Sequence, residues 1–129
     1  MMELGINAIL LFVRELDKCT VFYRDVLKLP FVGSDPGVAT FKVQDRYLIL
    51  QSPEGVAALF GIEPNAVNIE GNPRAMIASR VEDVHATYET LKAAGVPFLR
   101  PPTDHPWGVR TAIFVDPEGN LWDINQDID

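Results

Sequence analysis

The stretch Val81-Glu82-Asp83-Val84, continued by Leu91-Lys92-Ala93-Ala94-Gly95-Val96-Pro97-Phe98, decides the fold. It restates a pattern already written at Val13-Arg14-Glu15-Leu16, Tyr23 and Pro30-Phe31. Laying Val13 on Val81 also lays Leu16 on Val84 and Tyr23 on Leu91. With one residue deleted from the first copy, Pro30-Phe31 falls on Pro97-Phe98. The identity is thin, but strand, helix and hairpin recur in the same order. An internal repeat of this kind constrains the architecture before any single residue does.

Local signals around each copy agree. Residues 6–13 are a short apolar run rich in strand formers. Glu15 or Asp17 starts a helix, acidic groups being favoured at its positive end. Leu16, Cys19, Tyr23, Val26 and Leu27 form its apolar stripe, and Leu29-Pro30 stops it. Strands over 40–43 and 46–51 flank a Gln44-Asp45 turn. In the second copy a strand over 75–81 leads to Asp83 as N-cap, and Val84, Tyr88 and Leu91 share one helix face that Gly95 ends. Strands over 109–115 and 120–125 flank the turn Asp116-Pro117-Glu118-Gly119. The expectation is one domain over 1–129, with unit one at about 5–52, unit two at about 74–126 and a linker over 53–73. The linker carries Gly55, Gly61, Pro64, Gly71 and Pro73, with a short helical turn around 56–60.

Composition narrows the function. A chain of 129 residues, 47% hydrophobic and 22% charged, has the make-up of an ordinary globule with one core. Its longest apolar run, residues 8–13, falls far short of the ~20 residues that span a bilayer. With no signal-peptide pattern at the start, the expectation is a cytoplasmic protein with no membrane partner. The balance of 11 basic against 18 acidic residues gives a net charge of −7, which repels phosphate backbones and argues against nucleic acid. The single cysteine, Cys19, cannot form an intramolecular disulfide. It sits on the first helix's apolar stripe, with no histidine nearby to activate it.

Three stretches together resemble the vicinal oxygen chelate superfamily, which includes glyoxalase I, extradiol dioxygenases and bleomycin resistance proteins. They are Val13-Arg14-Glu15-Leu16 leading to Phe22-Tyr23-Arg24-Asp25-Val26-Leu27, Val81-Glu82-Asp83-Val84 leading to Leu91-Lys92-Ala93-Ala94-Gly95, and Trp107-Gly108 through Phe114 to Asp116-Pro117-Glu118-Gly119-Asn120-Leu121-Trp122. The resemblance implies an α+β fold of two tandem βαβββ units, whose sheets curl into half-barrels with helices outside and a cleft inside. Family enzymes usually place four metal ligands in that cleft, on the first and last strands of each unit. By the repeat registration those positions are Ala8, Ile49, Met76 and Asp123. Only Asp123 among them could ligate a metal, and a divalent ion needs several N, O or S donors. The expectation is therefore no metal, no other cofactor and no assigned catalytic residue. The chain is closest in character to the bleomycin-resistance branch, which implies a homodimer that sequesters a hydrophobic or cationic organic compound.

Strand alternation assigns the cleft face. It turns Phe12, Tyr47, Gln51, Met76, Arg80, Asp123 and Asn125 inward, and Trp107 lies in a loop at the mouth of the second unit. These eight residues are the expected ligand-binding set. Asp123 stands between two roles: a hook for a ligand cation or a proton-transfer group, or the partner of Arg80, Arg74 or Arg110. His105 reads as a solvated loop residue, and His85 as surface. Two rival functions stay in view. One is a metal-dependent glyoxalase-like lyase or isomerase, or a dioxygenase. The other is a non-catalytic interaction module whose cleft is filled by its own side chains.

Overall fold

The computed structural model describes Met2, residues 6–69 and residues 75–128. Two compact units divide the chain, Met1–Gly71 and Asn72–Asp129. In unit one, strand β1 (Ala8–Phe12) is followed by helix α1 (Leu16–Val21), which continues into a π-helical turn over Phe22–Val26. Strands β2 (Phe31–Asp35), β3 (Val38–Val43) and β4 (Arg46–Gln51) come next, then helix α2 (Pro53–Phe60) and a 3-10 turn over Pro64–Ala66. Unit two runs β5 (Met76–Arg80), α3 (Val84–Ala93), β6 (Phe98–His105), β7 (Val109–Val115) and β8 (Leu121–Asp127). The sheets have the orders β1-β4-β3-β2 and β5-β8-β7-β6, each an open four-stranded sheet. The first strand of each unit runs parallel to the last and the other pairs are antiparallel. This is the expected pair of βαβββ units.

The registers confirm that the units are copies. Leu10 lies opposite Ile49 in the first, and Ala78 opposite Asp123 in the second. The Val13 N–H donates to Gln51 O at 2.9 Å, and the Val81 N–H donates to Asn125 O at 2.9 Å. The deleted residue also has a physical home. In unit one the helix ends with Leu29 N–H donating to Tyr23 O, whereas in unit two Val96 N–H donates to Leu91 O. The first helix takes up its extra residue in the π turn, where Leu27 N–H reaches Phe22 O, and so ends in the same place as the second.

Each helix covers one face of its own sheet. In unit one Cys19, Phe22 and Tyr23 are buried with Val13, Ala39, Phe41, Leu48 and Leu50, and the Tyr23 and Phe41 ring centroids are 6.1 Å apart. In unit two Val84 and Leu91 bury against Ala112, Phe114, Trp122 and Ile124, and the Phe114 and Trp122 rings stack at 5.8 Å. Each of the larger aliphatic and Phe side chains contributes roughly 1.5–3 kcal/mol by leaving water. Asp83 caps α3 by accepting from Ala86 N–H at 3.1 Å, whereas Glu15 precedes α1 without a side-chain cap.

The strands that sequence signals did not individually mark are β2 and β6, one edge of each sheet. Gly33 interrupts β2, and Pro101 and Pro102 lie inside β6. Both pairings contain register shifts, at Phe31/Gly33 in β2 and at Phe98/Arg100 and Arg100/Thr103 in β6. An edge strand tolerates this because one of its sides has no ladder to complete. Residues 53–60, expected inside a linker, form α2, which begins at the N-cap Ser52 and packs within unit one.

Candidate functional site

The face of each sheet turned away from α1 or α3 carries the expected site residues. In unit two the pairings place Thr103, Thr111, Asn125 and Arg80 side by side across the four strands. The neighbouring row is Arg100, Ile113, Asp123 and Ala78. Asn125 Nδ2 donates to Asp123 Oδ1 at 3.2 Å and to Ser79 O at 3.3 Å, so the amide and the carboxylate act as one polar group. Leu121 and the 44%-exposed Met76 lie together at the apolar end of this face.

Arg80 does not pair with Asp123. Its Nη1 donates to Asp127 Oδ2 at 2.8 Å, and that hydrogen bond holds the guanidinium pKa above its ordinary value. Arg110 is engaged by Asp104 at 2.6 Å, and the same contact lowers the Asp104 pKa below the usual carboxylate range. Among the described residues, then, neither expected arginine neutralises Asp123, and Arg74 lies outside them. Asp127 follows from extending the β8 alternation two residues past Asn125, a step the sequence permits because that strand gives no stop signal.

His105 corrects the reading as a solvated loop residue. It is the last residue of β6, half-buried, and its Nε2 lies 2.8 Å from Thr111 Oγ1. Its ring stacks on Trp107 with centroids 4.5 Å apart and planes 14° from parallel. Trp107 itself lies in the β6–β7 turn and is 72% exposed. The turn is tight because Gly108 has a positive φ of 84° and its N–H donates to His105 O at 3.1 Å. This exposed, supported indole is a ready aromatic platform. His85 is exposed on α3, as expected.

In unit one Phe12, Tyr47 and Gln51 share the face away from α1. Tyr47 is 39% exposed, and Lys42 Nζ lies 5.8 Å from its ring centroid. Phe12 and Gln51 are neighbours in register, and the first turn of α2 packs against Gln51 through Gly55. The Phe60 ring meets Phe12 edge-on at 5.8 Å. Gln51 is 7% exposed, and its Oε1 is buried without a hydrogen-bond partner among the described residues. No sequence signal marked Phe60, since its contact depends on where α2 lands. Unit one also has a groove of about 480 Å³ between α1 and the β2–β3 hairpin, lined by Asp17, Arg24, Phe31 and Asp35 among others. None of the expected site residues borders it.

Residues 5–124 match the Glyoxalase/Bleomycin resistance protein/Dioxygenase superfamily. The chain belongs to that superfamily. Among its relatives is the uncharacterized protein YraH of Bacillus subtilis (strain 168), 33% identical over 117 residues, which are 88% of this chain and 91% of that protein. A glyoxalase/bleomycin resistance protein/dioxygenase from Nocardioides has a similar structure, with a TM-score of 0.86 and 24% identity over 100% of this chain and 87% of that one. The lactoylglutathione lyase of Agrobacterium tumefaciens gives a TM-score of 0.76 at 23% identity, over 94% and 92% of the two chains. At those identities the solved structures speak for the fold.

The divalent metal of the superfamily's enzymes does not fit the donor set here. Ala8 and Ile49 in unit one offer no ligand atom. In unit two Met76 offers only a thioether beside the Asp123 carboxylate. Among the described residues no three His, Cys, Asp or Glu side chains come together as a metal site. None of the described helices is long and apolar enough to cross a membrane.

Proposed function

We propose that this chain is a small-molecule-binding protein of the bleomycin-resistance type, holding a hydrophobic or cationic organic compound without turning it over. The observation that carries this reading is the unit-two face. An exposed indole braced by His105 stands in the same unit as the Asp123–Asn125 group, whose carboxylate neither Arg80 nor Arg110 neutralises. An aromatic cation would gain stacking on Trp107 and attraction to Asp123, in a chain whose net charge is −7. The protein would act as a homodimer, a part of the reading supported by the family resemblance alone, and its single cysteine suits the reducing cytoplasm.

Fluorescence titration with proflavine, a planar cationic dye, tests it. Saturable quenching should be lost in Trp107→Ala and weakened about tenfold in Asp123→Asn, with the dye recovered unchanged. Turnover of a substrate that depends on an added divalent ion and on Asp123 would instead favour a lyase or dioxygenase. Light scattering on the same samples gives the oligomeric state.

A second reading has one observation in its favour. Phe60 already covers Phe12, so part of the unit-one face is filled by the chain itself. An interaction module with a self-filled cleft would show no saturable dye binding at all.

A further inference from the structure

Gln51 is the least comfortable polar group among the described residues. Its side-chain oxygen is buried at 7% residue exposure with no partner among them. Its counterpart in the repeat behaves differently, because Asn125 donates to both Asp123 Oδ1 and Ser79 O. A carbonyl oxygen buried without a partner is unfavourable, and apolar Leu would fit the same strand position without that penalty. Gln51 sits beside Phe12 in register, and the Phe60 ring closes on Phe12 from α2. Phe60 is 57% exposed, so its ring has room to turn off Phe12. The start of α2 is fixed, by contrast, because Gly55 packs on the Gly37 backbone and Ser52 N–H donates to Gly37 O at 3.0 Å.

We infer that Gln51 is the polar anchor of a ligand subsite on the face of unit one turned away from α1, with Phe12 as its apolar wall and Phe60 as its movable cover. A primary amide offers a carbonyl oxygen and an N–H side by side. Its match is a planar ring whose own N–H and C=O are adjacent, as in a lactam or imide. The inference rests on the small-molecule-binding reading and adds to it the class of neutral group recognised at this end.

The test uses the full chain, labelled with ¹⁵N, titrated with 2-quinolone and with quinoline, which lacks the lactam edge. Saturating 2-quinolone should shift the Gln51 side-chain amide protons downfield, as a new hydrogen bond does, and by more than saturating quinoline does. Gln51→Leu should raise the melting temperature and weaken 2-quinolone about tenfold more than it weakens quinoline. Phe60→Ala should tighten 2-quinolone. An unmoved Gln51 resonance at saturation, or a Gln51→Leu variant that melts lower and binds 2-quinolone as before, overturns the inference. If Gln51→Leu does not fold, the wild-type resonance decides. Proflavine binding without any 2-quinolone effect sinks this subsite alone. Absence of binding by every probe sinks the broader reading with it.

Discussion

Lys28 and Gly95 occupy the same place in the two units, directly after the first helix of each, and both have left-handed backbone, with φ of 61° and 88°. The second unit uses the residue such a helix end favours and the first does not. A Cβ in this conformation is disfavoured by about 1–2 kcal/mol, partly offset by the greater chain entropy that glycine loses on folding. Lys28 is exposed, so little packing is lost on replacement. Lys28→Gly should therefore stabilise unit one by up to ~1 kcal/mol. Urea unfolding should show this as a higher midpoint with an unchanged slope.

Gly55→Ala should do the reverse. In an ordinary helix alanine gains about 1 kcal/mol over glycine. Here a Cβ would run into the Gly37 carbonyl oxygen, a backbone atom that cannot swing aside. Overpacking of this kind costs ~1–3 kcal/mol and should outweigh the propensity gain. A lowered midpoint is expected, and a raised one would mean that α2 is free to move off the β2–β3 turn.

Asp116 holds the last hairpin. It is 3% exposed, and Oδ1 accepts from the backbone N–H groups of Glu118 and Asn120, each at 2.8 Å. Oδ2 accepts from Asn120 Nδ2 at 2.9 Å. Asp116→Ala strands these donors and should destabilise the protein by about 2–3 kcal/mol. Asp116→Asn keeps one acceptor oxygen and should lose less. Equal losses in the two variants, measured by thermal melting, would show that the hairpin does not depend on these bonds.

The Asp104–Arg110 pair predicts a pH signature. Its hydrogen bond lowers the Asp104 pKa in the folded state. The stabilisation is therefore present above the unfolded carboxylate value of about 3.9 and fades as pH falls through the lower folded value. Both groups are open to solvent screening, so the effect is small. Asp104→Asn should be slightly less stable than wild type at pH 7, with the gap narrowing as pH falls below about 4. A constant gap across that range would assign the effect to something other than ionisation.

Periodicity and turn chemistry in the chain were enough for the repeat, the core faces and the Asp83 cap, because each depends on residues a few positions apart. Val13, Tyr23, Leu48 and Leu50 are buried where alternation and the helix stripe put them. That Ala8, Ile49 and Met76 supply no carboxylate, imidazole or thiolate was equally visible, since it needs only residue identity. Tertiary structure alone decided the rest. The extra residue before Pro30 became a π turn because the helix had to end where its sheet required. Arg80 chose Asp127 through a pairing across the sheet, and the tight closure of the β6–β7 hairpin brought His105 to Thr111 and Trp107. Phe60 came to rest on Phe12, and the first turn of α2 against Gln51, through the landing of a helix that no local pattern aims. Propensity and alternation act over one or two turns of chain, whereas these contacts depend on where distant segments meet.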